Sequence, residues 1–279
     1  MKSRGRKKEV LLLSRQQTLL IYFFMLLFIL LSPPLFAQER KREIWDIAPE
    51  VSYIHYEEPG VMEQKGIMTA VVGSYTYYDY SNFVFGGEGR YAYGKMDYSS
   101  SSSGSMKDID DYIWEVRGWG GYQIFISQQV NILPYIGLGY RYLNDDMSGR
   151  TTSTGAWGYE REISYTYTPV GIKVSSKIDE ETGVQMCLEY DYFWKGNVQS
   201  HLADVPGYYD IENEQDKGYG CRGNIEFYRK AEEVEYRLRC FIRYWSIEDS
   251  QSTTDPLGIT WIEPENNSTE YGVGFTLRF

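Results

Sequence analysis

Residues 271–279 read YGVGFTLRF. In an extended chain Tyr271, Val273, Phe275, Leu277 and Phe279 fall on one face, and Gly272, Gly274, Thr276 and Arg278 on the other. A period of two marks a strand with two different sides. A strand running to its last residue needs a partner there, because an unpaired edge exposes a row of backbone donors and acceptors. The expectation is a sheet that closes on itself, with this segment paired at the seam.

The same alternation recurs nine more times upstream, over residues 47–56, 67–80, 83–98, 111–126, 132–143, 162–178, 183–198, 219–229 and 234–247. The breaks between runs take turns. Those near 81–82, 127–131, 179–182 and 230–233 are short, and those near 57–66, 99–111, 144–161, 201–218 and 248–268 are long. Short turns at one end and long loops at the other describe an up-and-down membrane barrel. The predicted fold is all-β: a single antiparallel up-and-down transmembrane β-barrel of about ten strands, with eight as the alternative. One run breaks phase, since Tyr165 and Tyr167 do not share a face with Val170, Ile172 and Val174. Pro169 sits between them, so a β-bulge is expected there.

Alternation alone does not say which face points inward. Residues 184–195, VQMCLEYDYFWK, put Val, Met, Leu, Tyr, Tyr and Trp on one side and Gln, Cys, Glu, Asp, Phe and Lys on the other. A narrow interior has no room for so many rings, whereas a lipid-facing wall with aromatic girdles needs them. The composition agrees, with 16% aromatic residues, 27 Tyr and 27 Gly. The charged face is then the lumen. Glu88, Arg90, Glu115, Arg117, Glu189, Asp191, Arg222, Glu226, Arg237, Arg239, Arg243, Glu270 and Arg278 fall on it, together with Glu50, Arg141, Lys173 and Glu235. Charges enclosed by a low-dielectric wall require opposite partners. The expected interior is a network of cross-strand ion pairs that fills the barrel.

The first 37 residues differ from the rest. Residues 1–18 carry six Lys or Arg and one Glu, residues 19–31 (LLIYFFMLLFILL) are apolar throughout, and SPPLFA leads into the charged QERKRE. A basic start, a short apolar core and a small residue before a polar stretch describe a secretory signal peptide. Residues 1–37 are therefore expected to be removed, leaving a barrel domain at 38–279. Without that segment the chain has 22 basic and 38 acidic residues. Such an acidic balance excludes nucleic acid as a partner, because phosphates demand a basic face. Three cysteines, Cys187, Cys221 and Cys240, imply no disulfide framework. A bridge between Cys221 and Cys240 stays open beside the simpler role of small apolar fillers.

YGVGFTLRF resembles the terminal strand signal of Gram-negative outer-membrane proteins, with Tyr271, Val273, Phe275, Leu277 and Phe279 at its alternate positions. That resemblance implies recognition by the barrel-assembly machinery and a place in the bacterial outer membrane, among membrane lipid and lipopolysaccharide. PYIGLGYRYLNDDMSG (134–149) and GYEREISYTYTPVGIK (158–173) look like segments of outer-membrane β-barrel proteins. Ten strands also resemble the omptin surface proteases, which activate water with an Asp-x-Asp pair in one outer loop and an Asp-x-His pair across the groove. Asp108-Ile109-Asp110 is similar to the first pair. His201 stands in the fourth long loop, but Gln199 occupies the position where the second pair needs Asp.

No cofactor is implied, and no metal site, since neither His55 nor His201 has a second ligand at metal spacing. The long loops are acidic, with Glu57-Glu58, Asp110-Asp111, Asp145-Asp146 and Glu248-Asp249 among their pairs. Carboxylates at that height suit divalent cations that bridge to lipopolysaccharide phosphates. The leading functional expectation is a non-enzymatic barrel with a filled lumen, acting in envelope structure or surface interaction through its acidic loops. The alternatives are a narrow pore for ions or small polar solutes and, third, a surface protease using Asp108, Asp110 and His201.

Overall fold

The computed structural model describes residues 42–279, and the signal-peptide expectation for residues 1–37 lies outside them. The strands in chain order are β1 (Glu43–Glu58), β2 (Met62–Tyr78), β3 (Phe83–Ser100), β4 (Gly104–Tyr122), β5 (Ile124–Phe125), β6 (Val130–Asp146), β7 (Glu160–Lys177), β8 (Thr182–Ser200), β9 (Ile211–Gln215), β10 (Gly218–Ala231), β11 (Val234–Ile247), β12 (Thr253–Thr254), β13 (Thr260–Trp261) and β14 (Asn266–Arg278). Ten of them are long, and each pairs antiparallel with its neighbours in sequence. β14 pairs with β1 from Asp46↔Arg278 to Glu57↔Asn267, which closes the barrel. Phe279 extends the seam: its N–H donates to the Trp45 carbonyl at 2.9 Å. Closure leaves no long sheet edge unpaired. The four short strands belong to the outer loops or extend a hairpin.

The outer wall is apolar between two aromatic belts. At the short-turn end lie Trp45 against Tyr75, Phe83 against Tyr122, and Tyr236 against Phe275. At the long-loop end the rings nearly encircle the barrel, through Tyr53–Tyr271, Tyr244–Tyr219–Tyr190 and Tyr142–Tyr112–Tyr91. Between the belts Val51, Val71, Leu138, Leu188, Leu238 and Val273 are exposed. Aliphatic residues flanked by two aromatic girdles define the lipid-facing band, and the long-loop end is the extracellular one. Val273, Phe275, Leu277 and Phe279 continue that outer face to the end of the chain.

Three features differ from the sequence expectation. The first two long loops are mostly strand, because β1 and β2 are joined by residues 59–61 and β3 and β4 by residues 101–103. Their polar residues leave the membrane band without leaving the sheet. The bulge expected at Pro169 lies elsewhere. β7 keeps its alternation, with Tyr165, Tyr167 and Pro169 buried and Val170 and Ile172 exposed. The register shift falls between Thr166 and Tyr167, whose partners Lys195 and Phe193 skip Trp194, so the extra residue sits on β8. The interior also holds more rings than a narrow lumen suggested. Tyr135 and Tyr167 lie over Gly171 and Gly139, where an added Cβ would stand 2.4 and 2.2 Å from ring carbons. Small residues on one strand make room for large ones on the next. All three cysteines are free; Cys221 and Cys240 are exposed and Cys187 is buried.

Candidate functional site

The inner face carries two charged zones, an apolar layer and a polar cap, and each follows from which side of its strand a residue occupies. At the periplasmic end Arg278 donates Nε and Nη2 to both oxygens of Asp46 at 2.7 Å, across the closing seam. Its Nη1 also lies 3.7 Å from Glu235. Arg237 bridges Glu235 at 2.5 Å and Glu226 at 2.8 Å.

The central zone hangs on Glu50, whose side chain is fully buried and meets Arg239 at 2.5 Å, Arg90 at 3.1 Å and Arg243 at 3.1 Å. Arg90 and Arg243 also hold Glu270, which accepts a further hydrogen bond from the Ser52 hydroxyl at 2.7 Å. On the opposite wall Arg117 joins Glu88 and Glu189. Arg222 joins Glu115, Glu189 and Asp191, and Tyr167 donates to Glu115 at 2.6 Å. Lys173 rests over the Trp119 ring at 4.1 Å and Arg141 over Trp245 at 5.8 Å. These two zones together hold nine carboxylates, Asp46 included, and nine cationic side chains, so the enclosed charge cancels.

Above the network an apolar layer crosses the lumen. Ile54, Met68, Met96, Ile113, Ile163 and Trp245 are buried there in one cluster. A cavity beside Arg141, Leu143, Ile163 and Ser268 measures about 10 Å³. That is room for about one water molecule.

A second polar cluster caps this layer, and the sequence reading missed it. Glu58, Asp111, Asp145 and Glu263 are all buried around the single guanidinium of Arg161. Arg161 bonds Glu58 and reaches Glu263 at 3.2 Å and Asp145 at 3.8 Å. Asp145 accepts from Gln64 at 2.8 Å, and its exposure is 0%. Asp111, 2% exposed, is its direct cross-strand partner, and the Oδ1 atoms of both aspartates take no hydrogen bond. The sequence places these acidic pairs in the long outer loops. Instead the strands continue, so alternation sends Glu58, Asp111 and Asp145 inward while Glu57, Asp110 and Asp146 stay on the outer side. The available signal was parity, counted from Tyr56, Tyr112 and Leu143.

The three candidate catalytic residues do not share a cleft. Asp110 points outward and meets Lys95 at 2.5 Å, with Tyr93 donating to it. Asp108 sits on β4 with φ of 55°, and its carbonyl accepts from Arg150 at 2.9 Å. His201 takes its carboxylates from its own side of the head, Glu162 at 3.4 Å and Asp210 at 3.9 Å. With Gln199 in the place of an aspartate, the carboxylates nearest the histidine are thus Glu162 on β7 and Asp210, nine positions beyond it. Among the described residues no three His, Cys, Asp or Glu side chains converge to hold a metal ion.

A family model described as outer membrane protein beta-barrel domain matches residues 23–175, more than half of the chain. No curated protein matches it in sequence. Among solved structures the fold is similar to the outer membrane protease OmpT from Escherichia coli, with a TM-score of 0.67 and 9% identity over 88% of this chain and 98% of that one. It is also similar to the translocator domain of the autotransporter NalP from Neisseria meningitidis, with a TM-score of 0.43 and 9% identity over 93% and 95% of the two chains. At 9% identity the OmpT match shows a shared fold and nothing finer.

Two outcomes follow from this geometry. Glu50→Ala leaves three buried guanidinium groups short of an acceptor, so it should cost about 3–5 kcal/mol, the range for breaking a buried ion pair from one side. Urea unfolding of the barrel refolded into lipid vesicles measures it, and an unchanged midpoint would contradict the assignment. Glu263 lies in the last loop, outside the membrane. Burial pushes its carboxyl up to about 7 against the opposing pull of Arg161, and the Glu58 charge adds to the rise. A carboxyl raised in the folded state binds its proton more tightly there than when unfolded. Stability therefore falls as pH climbs from the ordinary carboxylate range through about 7, then levels off. Glu263→Gln should flatten that part of the slope in unfolding midpoints taken at acidic, neutral and alkaline pH; an identical slope in the variant would refute it.

Proposed function

The chain belongs to the outer-membrane β-barrel protein family and resides in the bacterial outer membrane, and from that premise we propose that it is a non-enzymatic barrel acting in envelope structure or surface interaction through its extracellular head. The observation that carries this reading is the filled lumen. Nine carboxylates and nine cations interlock below an apolar layer, and the gap beside that layer is about 10 Å³. A hydrated ion crossing such an interior would have to break buried pairs, each of which resists separation by several kcal/mol. Transport through the wall is thereby disfavoured, and the exposed surface for recognition lies in the loops.

The outward members of the acidic pairs support a second part of the proposal. Glu57, Asp110 and Asp146 lie beyond the tyrosine belt, on the side where lipopolysaccharide headgroups begin. Divalent cations would bridge such carboxylates to lipid phosphates, since calcium and magnesium favour oxygen ligands of both kinds. For biogenesis, the outward face of Tyr271–Phe279 serves as the signal for the barrel-assembly machinery.

Planar-bilayer recording of the purified, refolded protein is expected to give no steady unitary openings; reproducible openings would replace the plugged barrel with a pore. Deleting Phe279, which removes the last backbone bonds to Trp45, should lower the folded fraction in outer membranes, read as heat-modifiable gel mobility. An undiminished folded fraction would remove the assembly role from this residue.

A further inference from the structure

The two loops after β8 and β11 form one connected unit, and its chemistry narrows what the head would bind. β9 adds to the end of β8, with Gly196↔Gln215 and Ser200↔Ile211 as the limits of pairing. The β12–β13 hairpin is fastened to it through backbone as well as side chains. Gln251 N–H donates to the Glu214 carbonyl at 2.9 Å, and Thr253 Oγ1 to the Glu212 carbonyl at 2.8 Å. Asn213 donates to the Gln251 carbonyl at 3.1 Å and to the Trp261 carbonyl at 3.4 Å. The hairpin tip is set by Asp255, itself buried. Its Oδ1 accepts the N–H groups of Leu257 and Ile259 at 2.9 Å each, and its Oδ2 accepts Trp261 Nε1 at 3.1 Å.

This rigid mount presents apolar side chains to water. Leu257 is 59% exposed, Ile262 56%, Tyr209 46%, Tyr208 45% and Ile259 44%. Tyr208 also touches the Trp261 ring at 6.1 Å, which links the two loops on the same unit. These residues lie in the extracellular loops, so lipid does not cover them. Around them, residues 201–217 and 248–265 carry eight exposed carboxylates and a single exposed lysine, Lys217. Lys217 already faces Glu248 at 3.6 Å, and Lys195 on the adjoining β8 holds Glu214 at 2.5 Å, which leaves six of the eight carboxylates without a lysine partner. Rigid apolar anchors inside a polar, like-charged rim are the anatomy of a binding patch. A rim of one sign selects a partner of the other.

We propose that the unit formed by residues 201–217 and 248–265 is a docking surface for cationic polypeptides that carry exposed apolar side chains. The proposal rests on the surface-interaction reading and specifies its partner. Leu257 and Ile259 enter between the partner's apolar groups, and the carboxylate rim holds its Lys or Arg side chains. Charge accelerates and orients the encounter, while the apolar tip slows release. No covalent step is involved.

The test uses the full barrel in zwitterionic nanodiscs, with empty nanodiscs subtracted, and three fluorescent probes of equal length. One is an amphipathic Leu/Lys peptide, one is oligolysine and one is a neutral Leu/Ser peptide. Anisotropy titrations at low and high sodium chloride should give the Leu/Lys peptide at least about tenfold tighter binding than either other probe, with affinity falling as salt rises. Leu257→Ser combined with Ile259→Ser should weaken it about tenfold and leave the salt dependence unchanged. Asp255→Ala should also weaken it, because it loosens the tip without removing an apolar contact. Both variants are checked for barrel folding by heat-modifiable mobility, which substitutions confined to the outer loops should not alter. Equal affinity for Leu/Lys peptide and oligolysine, or for wild type and the Leu257/Ile259 variant, would overturn the apolar dock while leaving the acidic interaction surface standing. Failure of every probe to bind would overturn both.

Discussion

A charge enclosed by a closed sheet has no bulk water to retreat to, and this condition organises the rest of the barrel. Every ionised group on the inner face must meet an opposite one or lose its charge. The lower two zones satisfy the condition by number, and by position for all but Lys173 and Arg141, which rest over the Trp119 and Trp245 rings. Glu50 draws Arg90, Arg239 and Arg243 from β3 and β11, so one carboxylate on β1 joins strands that are not hydrogen-bonded to each other. Arg222 does the same from β10, reaching Glu115 on β4 and Asp191 on β8. Such pairs contribute modestly to net stability after desolvation. Their larger effect is on register, because a one-residue slip of any strand would turn its charges toward lipid.

Vertical order follows from the same condition. The balanced network sits within the lipid-facing band, where compensation is most needed. Apolar side chains separate it from the extracellular head. Beyond them, near solvent, the structure tolerates an imbalance of four buried carboxylates around Arg161. A filled core also decides where function resides. With the interior committed to its own contacts, the variable chemistry is displaced to the loops, where connecting segments tolerate change and carry recognition.

Much of this was legible in the pattern of residues. Alternation identified ten strands, the lipid face and the inward placement of Arg278, whose partner at the seam is Asp46. Asp46 itself lies just before the alternating run at 47–56 and just after the charged QERKRE stretch, so composition groups it with the leader of the strand rather than with its inner face. The boundaries of the outer loops were misjudged for a related reason. Ser, Asp and Lys clusters at 99–110 look like loop in composition, yet pairing of β3 with β2 and with β4 keeps all but residues 101–103 in the sheet. The phase break near Pro169 was real in the sequence but assigned to the wrong cause. Tyr165 and Tyr167 fill the lumen over small neighbours, and the irregularity belongs to β8.

By itself the sequence determined the period of each strand and the side that meets lipid, because these depend only on residues near one another in the chain. Only the tertiary structure decided which carboxylate meets which guanidinium, that Glu162 and Asp210 rather than Asp108 or Asp110 stand beside His201, and that Glu58, Asp111 and Asp145 are buried while Glu57, Asp110 and Asp146 are not. Those outcomes depend on barrel closure and on the height to which the strands extend. Both set distances between residues as much as 232 positions apart, and no local pattern carries that information.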